Sequence, residues 1–332
     1  MLNVAIVGLG FIGKAHLDAY QKVKGAQVHT ICTRGSTGQG KMENQLNYDI
    51  VSDFNSVLNN PEVDIVDLCI PTYLHEEYIL KAAKAEKHII CEKPLTLTEE
   101  SAERIIQVIE ESKVRLFVGH VLRFWPEYQA LKGYIDQGKL ENVDWFHAQR
   151  LGQSPSWSDW FKDPNKSGGA LFDLHIHDVD FAYSLFGSVE SVYSAGQQND
   201  QKAWSQVLTT LYFKNGVKAT IEASHKMPIG YPFTMSYRAQ SPSKTLSYMM
   251  KAGENINDTE TSKHTFEFFN GLGKESVATS KQDPFELELQ YFVDCLNNKQ
   301  SNDVIPNSEV REVIRIMNAI QDSLERNQVI KL

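Results

Sequence analysis

What this chain has little of narrows it first. Its cysteines are only four, Cys32, Cys69, Cys91 and Cys295, scattered through 332 residues. They make no C-x-x-C and no disulfide framework. Three of them end expected strands, where a free thiol behaves as a small hydrophobe. No apolar run is long enough to span a bilayer. No basic segment precedes the first strand, so no secretory signal is expected. These absences together predict a reduced, cytoplasmic protein with no membrane partner. Positive charge is also scarce: 33 Lys and Arg stand against 42 Asp and Glu, a net −9. Phosphate-backbone binding needs clustered Lys and Arg, so the balance argues against nucleic acid. No internal repeat is visible. What remains is a globular composition, 42% hydrophobic and 23% charged, in a chain long enough for two domains.

The most informative stretch lies almost at the first residue. Val4-Ala5-Ile6-Val7 reads as a buried parallel strand. Gly8-Leu9-Gly10-Phe11-Ile12-Gly13 follows as G-x-G-x-x-G, and Lys14 to Tyr20 continues as a helix. Gly8 would permit the turn, Gly10 the approach of a pyrophosphate, and Gly13 close packing of helix on sheet. The helix N-terminus would offer N–H groups and a positive dipole end to the phosphates. The glycine spacing alone is a weak signal; the flanking strand and helix make it a dinucleotide site rather than an ordinary turn.

Strands and helices then alternate. Strands are expected at Gln27 to Cys32, Asp64 to Ile70, His88 to Cys91 and Arg115 to Val118. Helices are expected from about His75 to Lys87 and after Thr98, a plausible N-cap. Such alternation implies βαβ units and a doubly wound parallel sheet. Beyond residue 120 the pattern changes. Helices at Leu131 to Asp136 and Gly169 to Phe186 frame a strand at Val143 to Leu151, and β-like runs follow from Val189 to Phe269. Asn215-Gly216 signals a type I′ hairpin. Helices at Phe285 to Leu296 and Ser308 to Glu325 close the chain. The fold class is therefore α/β. An N-terminal doubly wound Rossmann domain, 1–121, precedes a C-terminal α+β domain, 122–332, with a large, mostly antiparallel open sheet. The polar stretch 251–283 has no readable role.

Two constellations carry chemistry. Glu92-Lys93-Pro94 ends a parallel strand, the edge where open α/β sheets bind ligands. Proline would hold Lys93 in an extended or turned backbone; the plainer alternative is a surface lysine. The second is Gly168-Gly169-x-x-x-Asp173-x-His175-x-His177-x-x-Asp180. On a helix, Asp173, His177 and Asp180 share one face. A carboxylate one turn from an imidazole suits a general base near neutral pH. The alternatives are a solvated acidic turn and a metal site, and no HExxH or His/Cys cluster completes the latter. No metal is expected.

These pieces, taken in order, resemble the Gfo/Idh/MocA oxidoreductases, the family of glucose–fructose oxidoreductase and inositol dehydrogenase. The likeness runs through Gly8-x-Gly10-x-x-Gly13, Pro71-Thr72-x-x-His75 and Glu92-Lys93-Pro94. It continues in Gly119-His120-x-x-Arg123-Phe124-x-Pro126 and the glycine–aspartate–histidine segment at 168–180. The resemblance implies that Lys93, Asp173 and His177 are catalytic and converge beside the nicotinamide ring. They and His120 would bind substrate. Phe11 and Ile12, with the glycines, would hold the pyrophosphate. Pro71, Thr72, His75, Glu92 and Pro94 would line the nicotinamide half, with Arg123 and Trp160 bordering it. The implied reaction is hydride transfer to or from a secondary alcohol of a sugar, polyol or inositol. The alternatives are a redox-assisted sugar lyase or glycosidase and a non-catalytic dinucleotide-binding regulator. The β-rich stretch, with a face beyond what its helices can cover, predicts a homodimer or homotetramer.

Cofactor choice rests on one further absence. NAD-preferring domains usually place an Asp or Glu near the end of the second strand, where it binds the ribose 2′-OH. From Gln27 to Met42 this chain has neither. Thr33, Arg34, Ser36 and Thr37 stand there instead. A guanidinium can pair with a 2′-phosphate in a two-pronged way. The expected cofactor is NADP, with NAD the alternative if Arg34 is a solvated loop residue.

Overall fold

A computed structural model of the protein describes residues 1–34, 48–154, 159–253 and 262–332. Its contacts divide it into two units. One holds Met1–Phe124 and Gln282–Arg311, the other Trp125–Lys281 and Glu312–Leu332.

In the first unit, β1 (Leu2–Val7) has Val4, Ala5, Ile6 and Val7 all buried, as a strand covered on both faces must. Beside it run β2 (Ala26–Cys32), β3 (Asp49–Val51), β4 (Ile65–Leu68), β5 (His88–Glu92) and β6 (Leu116–Gly119). Every pairing is parallel, in the order β3-β2-β1-β4-β5-β6. The order reverses between β1 and β4, the switch point where doubly wound sheets open a ligand crevice. Among the described residues the crossover helices are α1 (Phe11–Tyr20), α2 (Phe54–Leu58), α3 (His75–Lys84) and α4 (Glu99–Glu111). Thr98 caps α4, its hydroxyl accepting from the Ser101 amide at 3.3 Å. The helix buries Ala102, Ile105, Ile106 and Ile109, with roughly 1.5–3 kcal/mol for each fully buried isoleucine.

The second unit is built on β7 (Trp145–Gln153), β8 (Val189–Gln198), β9 (Trp204–Phe213), β10 (Lys218–Met227), β11 (Thr234–Gln240), β12 (Thr245–Lys251), β13 (Lys263–Phe269), β14 (Lys274–Ser276) and β15 (Ile330–Lys331). Among the described residues they form one sheet, β14-β13-β12-β11-β7-β10-β9-β8-β15. Only β7 and β10 pair in parallel. On β9, Ser205, Val207, Thr209, Leu211 and Phe213 point inward, the period of two expected of a half-covered strand. The inner face packs against α5 (Pro126–Asp136) and α6 (Ile176–Phe186), where Tyr128 and Phe181 meet edge-to-face at 4.8 Å.

Three expectations change here. The Asn215-Gly216 hairpin joins β9 to β10, but it is not type I′. Only Gly216 has positive φ, at +92°, and the Phe213 amide bonds the Val217 carbonyl around a three-residue loop. That is the pattern of a type I turn closed by a left-handed glycine. The stretch 251–283 contributes β13 and β14, with Phe266 and Phe268 buried; residues 254–261 lie outside the described ones. A boundary at 121/122 would have given both closing helices to the second domain. Instead α7 (Pro284–Asn297) belongs to the first unit, where Phe292 packs on Phe117 at 4.9 Å. The division crosses α8 (Asn307–Arg326). No helix among the described residues is long and apolar enough to cross a membrane.

Candidate active site

The glycines of the first turn do different physical work. Gly8 has φ +96°, and a β-carbon there would lie 2.4 Å from the Cys69 carbonyl oxygen. A β-carbon on Gly13 would lie 2.0 Å from the Gly8 oxygen. Both are required by the protein's own packing. A β-carbon on Gly10 would meet nothing within 4 Å. Gly10 is the N-cap of α1, which has no side-chain cap and no acid in its first turn. An open cradle at an uncapped helix N-terminus fits a pyrophosphate. Phe11, 41% exposed, and Ile12 follow on that first turn.

At the end of β2, the Thr33 amide donates to the Val51 carbonyl at 2.9 Å. Arg34 is exposed, and its Nη2 donates to the Tyr78 hydroxyl at 3.3 Å. Tyr78 in turn stacks on Phe54 at 4.5 Å. Ser36 and Thr37 lie outside the described residues.

Pro71 starts the short turn that leads into α3, and Thr72 is buried within it. His75 is also buried. Its Nδ1 lies 2.9 Å from the Pro94 carbonyl and its Nε2 2.8 Å from that of Ile70. Burial pushes its pKa down against the pull of these carbonyls, and the ring sits between the turn at 70–71 and the one at 94–95. This gives His75 to the protein's own backbone. Lys93, half-buried, directly follows β5, and the Lys93–Pro94 peptide is cis. Glu92 accepts the Lys93 amide through Oε2 at 3.2 Å, while its Oε1 lies 3.2 Å from His16 Nε2. Glu92 is thus bound to protein groups on both carboxylate oxygens. Arg123, also buried, pairs with Glu309 and donates to the Val304 carbonyl at 2.7 Å. His120 is 1% exposed, at the head of the turn Val121–Arg123.

In the second unit, Gly168 and Gly169 have φ +70° and +68°. A β-carbon on Gly169 would strike the Trp204 carbonyl at 2.5 Å, so the pair brings the next turn hard against β9. That turn, Leu171–His175, is π-helical and runs directly into α6. The expected common face for Asp173, His177 and Asp180 assumed ordinary α-helical spacing. The wider turn changes that phase, and Asp180 is buried while Asp173 and His177 are half-buried. Such turns often sit at functional sites. Asp173 Oδ2 lies 3.1 Å from Nε2 of His225, at the end of β10. Trp160 stacks on Phe161 at 4.1 Å.

The neighbouring residues have structural work. His175 Nε2 lies 2.8 Å from the Thr209 hydroxyl, and burial pushes its pKa down to about 3. Asp178 is fully buried and takes Arg150 on both oxygens, at 3.1 and 3.3 Å. This two-pronged pair fixes the helix that carries His177.

His225 escaped the sequence reading because it is 52 residues from Asp173. A buried group around His16 did too. Its Nδ1 lies 2.9 Å from Asp67 on β4, and Glu288 of α7 approaches the same imidazole. A signal was present: Asp67 is a lone acid in the apolar run Ile65-Val66-Asp67-Leu68.

Comparison with known proteins agrees with this layout. An oxidoreductase-family model, with NAD-binding Rossmann fold, matches residues 2–120, and one for the GFO/IDH/MocA C-terminal domain matches 128–240. A scyllo-inositol 2-dehydrogenase (NAD(+)) of Bacillus subtilis is 28% identical over 90% of this chain and 86% of its own. A myo-inositol 2-dehydrogenase of Thermotoga maritima is 28% identical over 69% and 70%. A solved levoglucosan dehydrogenase, in complex with NADH and L-sorbose, shares the fold with a TM-score of 0.83 at 22% identity, over 99% and 98% of the two chains. With one family matched in both of its parts, in order, the chain belongs to the GFO/IDH/MocA family of oxidoreductases.

Proposed function

We propose that the protein interconverts a secondary alcohol and a ketone on a sugar, polyol or inositol, with Lys93, Asp173 and His177 as its catalytic residues. The observation that carries the nucleotide half is the uncapped N-terminus of α1 beside Gly10, where a side chain would meet open space. Gly8, Gly10 and Gly13 would hold the pyrophosphate there, with Lys93 at the carboxyl edge of the same sheet. When bound, the nicotinamide supplies the hydride acceptor or donor. His177 takes the hydroxyl proton as the alcohol is oxidised and returns it in the reverse direction. Lys93, as an ammonium, donates a hydrogen bond to the same oxygen and stabilises its developing negative charge. Asp173, paired with His225, holds a neighbouring substrate hydroxyl.

A screen of sugars, polyols and inositols against both nicotinamide cofactors, followed by nicotinamide absorbance, tests the reading. Net cofactor reduction on a free substrate distinguishes a dehydrogenase from a redox-neutral lyase. Lys93→Ala and His177→Ala should each lower kcat by roughly two or more orders of magnitude, with cofactor affinity changed far less. Normal turnover in His177→Ala would rule the mechanism out.

NADP is the cofactor we favour. An exposed guanidinium at the end of β2, braced by the Tyr78 hydroxyl, supports this choice. The ratio of kcat/KM for NADP over NAD should fall by about tenfold or more in Arg34→Ala, the loss of one charge-assisted phosphate contact. A wild type that works better with NAD would overturn it.

A further inference from the structure

Beneath the Gly8–Gly13 turn sits a buried ionisable cluster to which the reaction assigns no role. His16, one turn beyond Gly13 on α1, is 0% exposed. Its Nδ1 lies 2.9 Å from Asp67 Oδ2 and its Nε2 3.2 Å from Glu92 Oε1. Every element packed on it adds a group. The chain leaving β4 brings Cys69, whose Sγ is 3.5 Å from Nδ1. From α1 itself comes Tyr20, and from α7 come Glu288 and the ring of Phe285, centroids 5.7 Å apart. Cys91 lies next to Glu92 on β5.

A neutral imidazole has a single N–H. With a carboxylate oxygen at each nitrogen, it would set a lone pair against one of them. An imidazolium donates to both. Burial, the largest single influence, would lower the pKa of His16, but Asp67 and Cys69 together outweigh it by charge and hydrogen bond and hold the group well above 6.5. Both ring nitrogens are then committed to carboxylates, which leaves no lone pair for a metal.

Glu92 is where this cluster reaches the chemistry. One oxygen faces His16 and the other accepts the backbone amide of Lys93 at 3.2 Å. A β-carbon at Gly119 would come within 2.9 Å of Oε1, the oxygen that faces His16, so the carboxylate is closely packed there. Asp67, His16, Glu92 and the Lys93 amide form a continuous line from β4 to the residue after β5.

We propose that His16 is a positioning residue: clamped between Asp67 and Glu92, it fixes the Glu92 carboxylate, and through it the backbone from which Lys93 projects. The role in turnover rests on Lys93 being catalytic; the clamp itself does not. It also ties α1 to the lysine through the side chains of Asp67 and Glu92.

Two measurements need no substrate. In the wild type with ¹⁵N-labelled histidine, His16 should show two ring N–H groups at neutral pH. In protein with ¹⁵N-labelled lysine, the Lys93 amide should exchange with solvent about tenfold faster in His16→Gln, which keeps size but has its donors on one nitrogen and an acceptor oxygen where the other ring N–H stood. A neutral His16 ring, a metal bound to it, or an unchanged Lys93 exchange rate overturns the clamp. The third measurement is kinetic, on the best substrate of the screen. His16→Gln should lower kcat about ten- to hundredfold, the scale of a small misplacement, with KM and cofactor affinity within about twofold. The effect should vanish when Lys93→Ala is already present; an additive loss would overturn the positioning role. If Lys93→Ala itself keeps full turnover, the catalytic assignment fails, and amide exchange decides the clamp alone.

Discussion

Two single-methyl substitutions in one turn should separate cofactor binding from folding. In Gly13→Ala the new methyl would stand 2.0 Å from the Gly8 carbonyl oxygen, against an ordinary contact of 3.4 Å or more. The obstacle is backbone, so α1 must back away from the sheet by about 1 Å or more, the kind of overpacking that costs roughly 1–3 kcal/mol. For a unit of this size that is a fall in Tm of roughly 2–12 °C. In Gly10→Ala the methyl meets nothing within 4 Å, and φ −78°, ψ −157° is ordinary extended backbone. Stability should change by less than about 1 kcal/mol, the difference between glycine and alanine at an N-cap. In the proposed cradle, that methyl would take space the pyrophosphate needs. Affinity for the dinucleotide should therefore fall by about tenfold or more, about 1.4 kcal/mol. Thermal melts read the first effect and calorimetric titration with NAD and NADP the second. Unchanged cofactor affinity in Gly10→Ala would refute the cradle. A Gly13→Ala protein as stable as the wild type would refute the packing argument.

Three further outcomes follow from the second unit. Asp178→Asn leaves Arg150 buried without its counter-charge and should cost about 3–5 kcal/mol, whereas Arg150→Met with Asp178→Leu together should recover most of it. All five tryptophans fall within 125–204, so urea unfolding followed by tryptophan fluorescence reads this unit directly; a loss below about 1 kcal/mol would contradict the role of the pair. His175 is held neutral, with a folded pKa of about 3 against an ordinary 6.5. Its contribution is complete above the unfolded pKa and is lost as pH falls from 6.5 toward 3, by up to about 1.4 kcal/mol per pH unit. His175→Gln should flatten that acid limb, and an unchanged pH dependence of urea stability would count against it. Finally, strand register puts Tyr193, Leu208, Tyr212, Trp145, Met249 and Phe269, each at least 36% exposed, on one face of the sheet. Glu222 and Arg238 lie on the same face, offering opposite charges to a second, two-fold related copy of the chain. Light scattering should give a dimer or tetramer that Leu208→Arg weakens, and a monomeric wild type at micromolar concentration would contradict this.

Local signals carried the first unit well. A buried apolar strand, glycines and a helix in succession allow few arrangements, and every strand but the short edge strand β3 was placed to within a few residues. The hairpin at Asn215 shows the limit of such signals. The glycine position was legible, but the turn type depended on how the two strands register. The 251–283 stretch was unreadable for a related reason. Its strands lie toward one edge of the sheet, and β14 is fully exposed, so little apolar alternation marks it.

Chain-order motifs single out Lys93 and Asp173 as candidates, by position after a strand and after a glycine pair. They did not say what each residue touches. His75, Glu92 and Arg123, expected along the cofactor, are bound to groups of the protein itself. Asp173 is paired with His225, a partner no local spacing suggested. Residues close together in the chain encode most of the strands and helices, the dinucleotide turn and the candidate catalytic side chains, since each is written within about a turn or a strand. The partners are set by contacts between segments far apart in the chain. Hydrogen bonds such as His16 to Glu92, 76 residues apart, and Asp173 to His225, 52 apart, exist because folding brings distant polar groups into the same dry interior. There each must find a partner or carry the cost of desolvation, and no spacing along the chain records which one it finds.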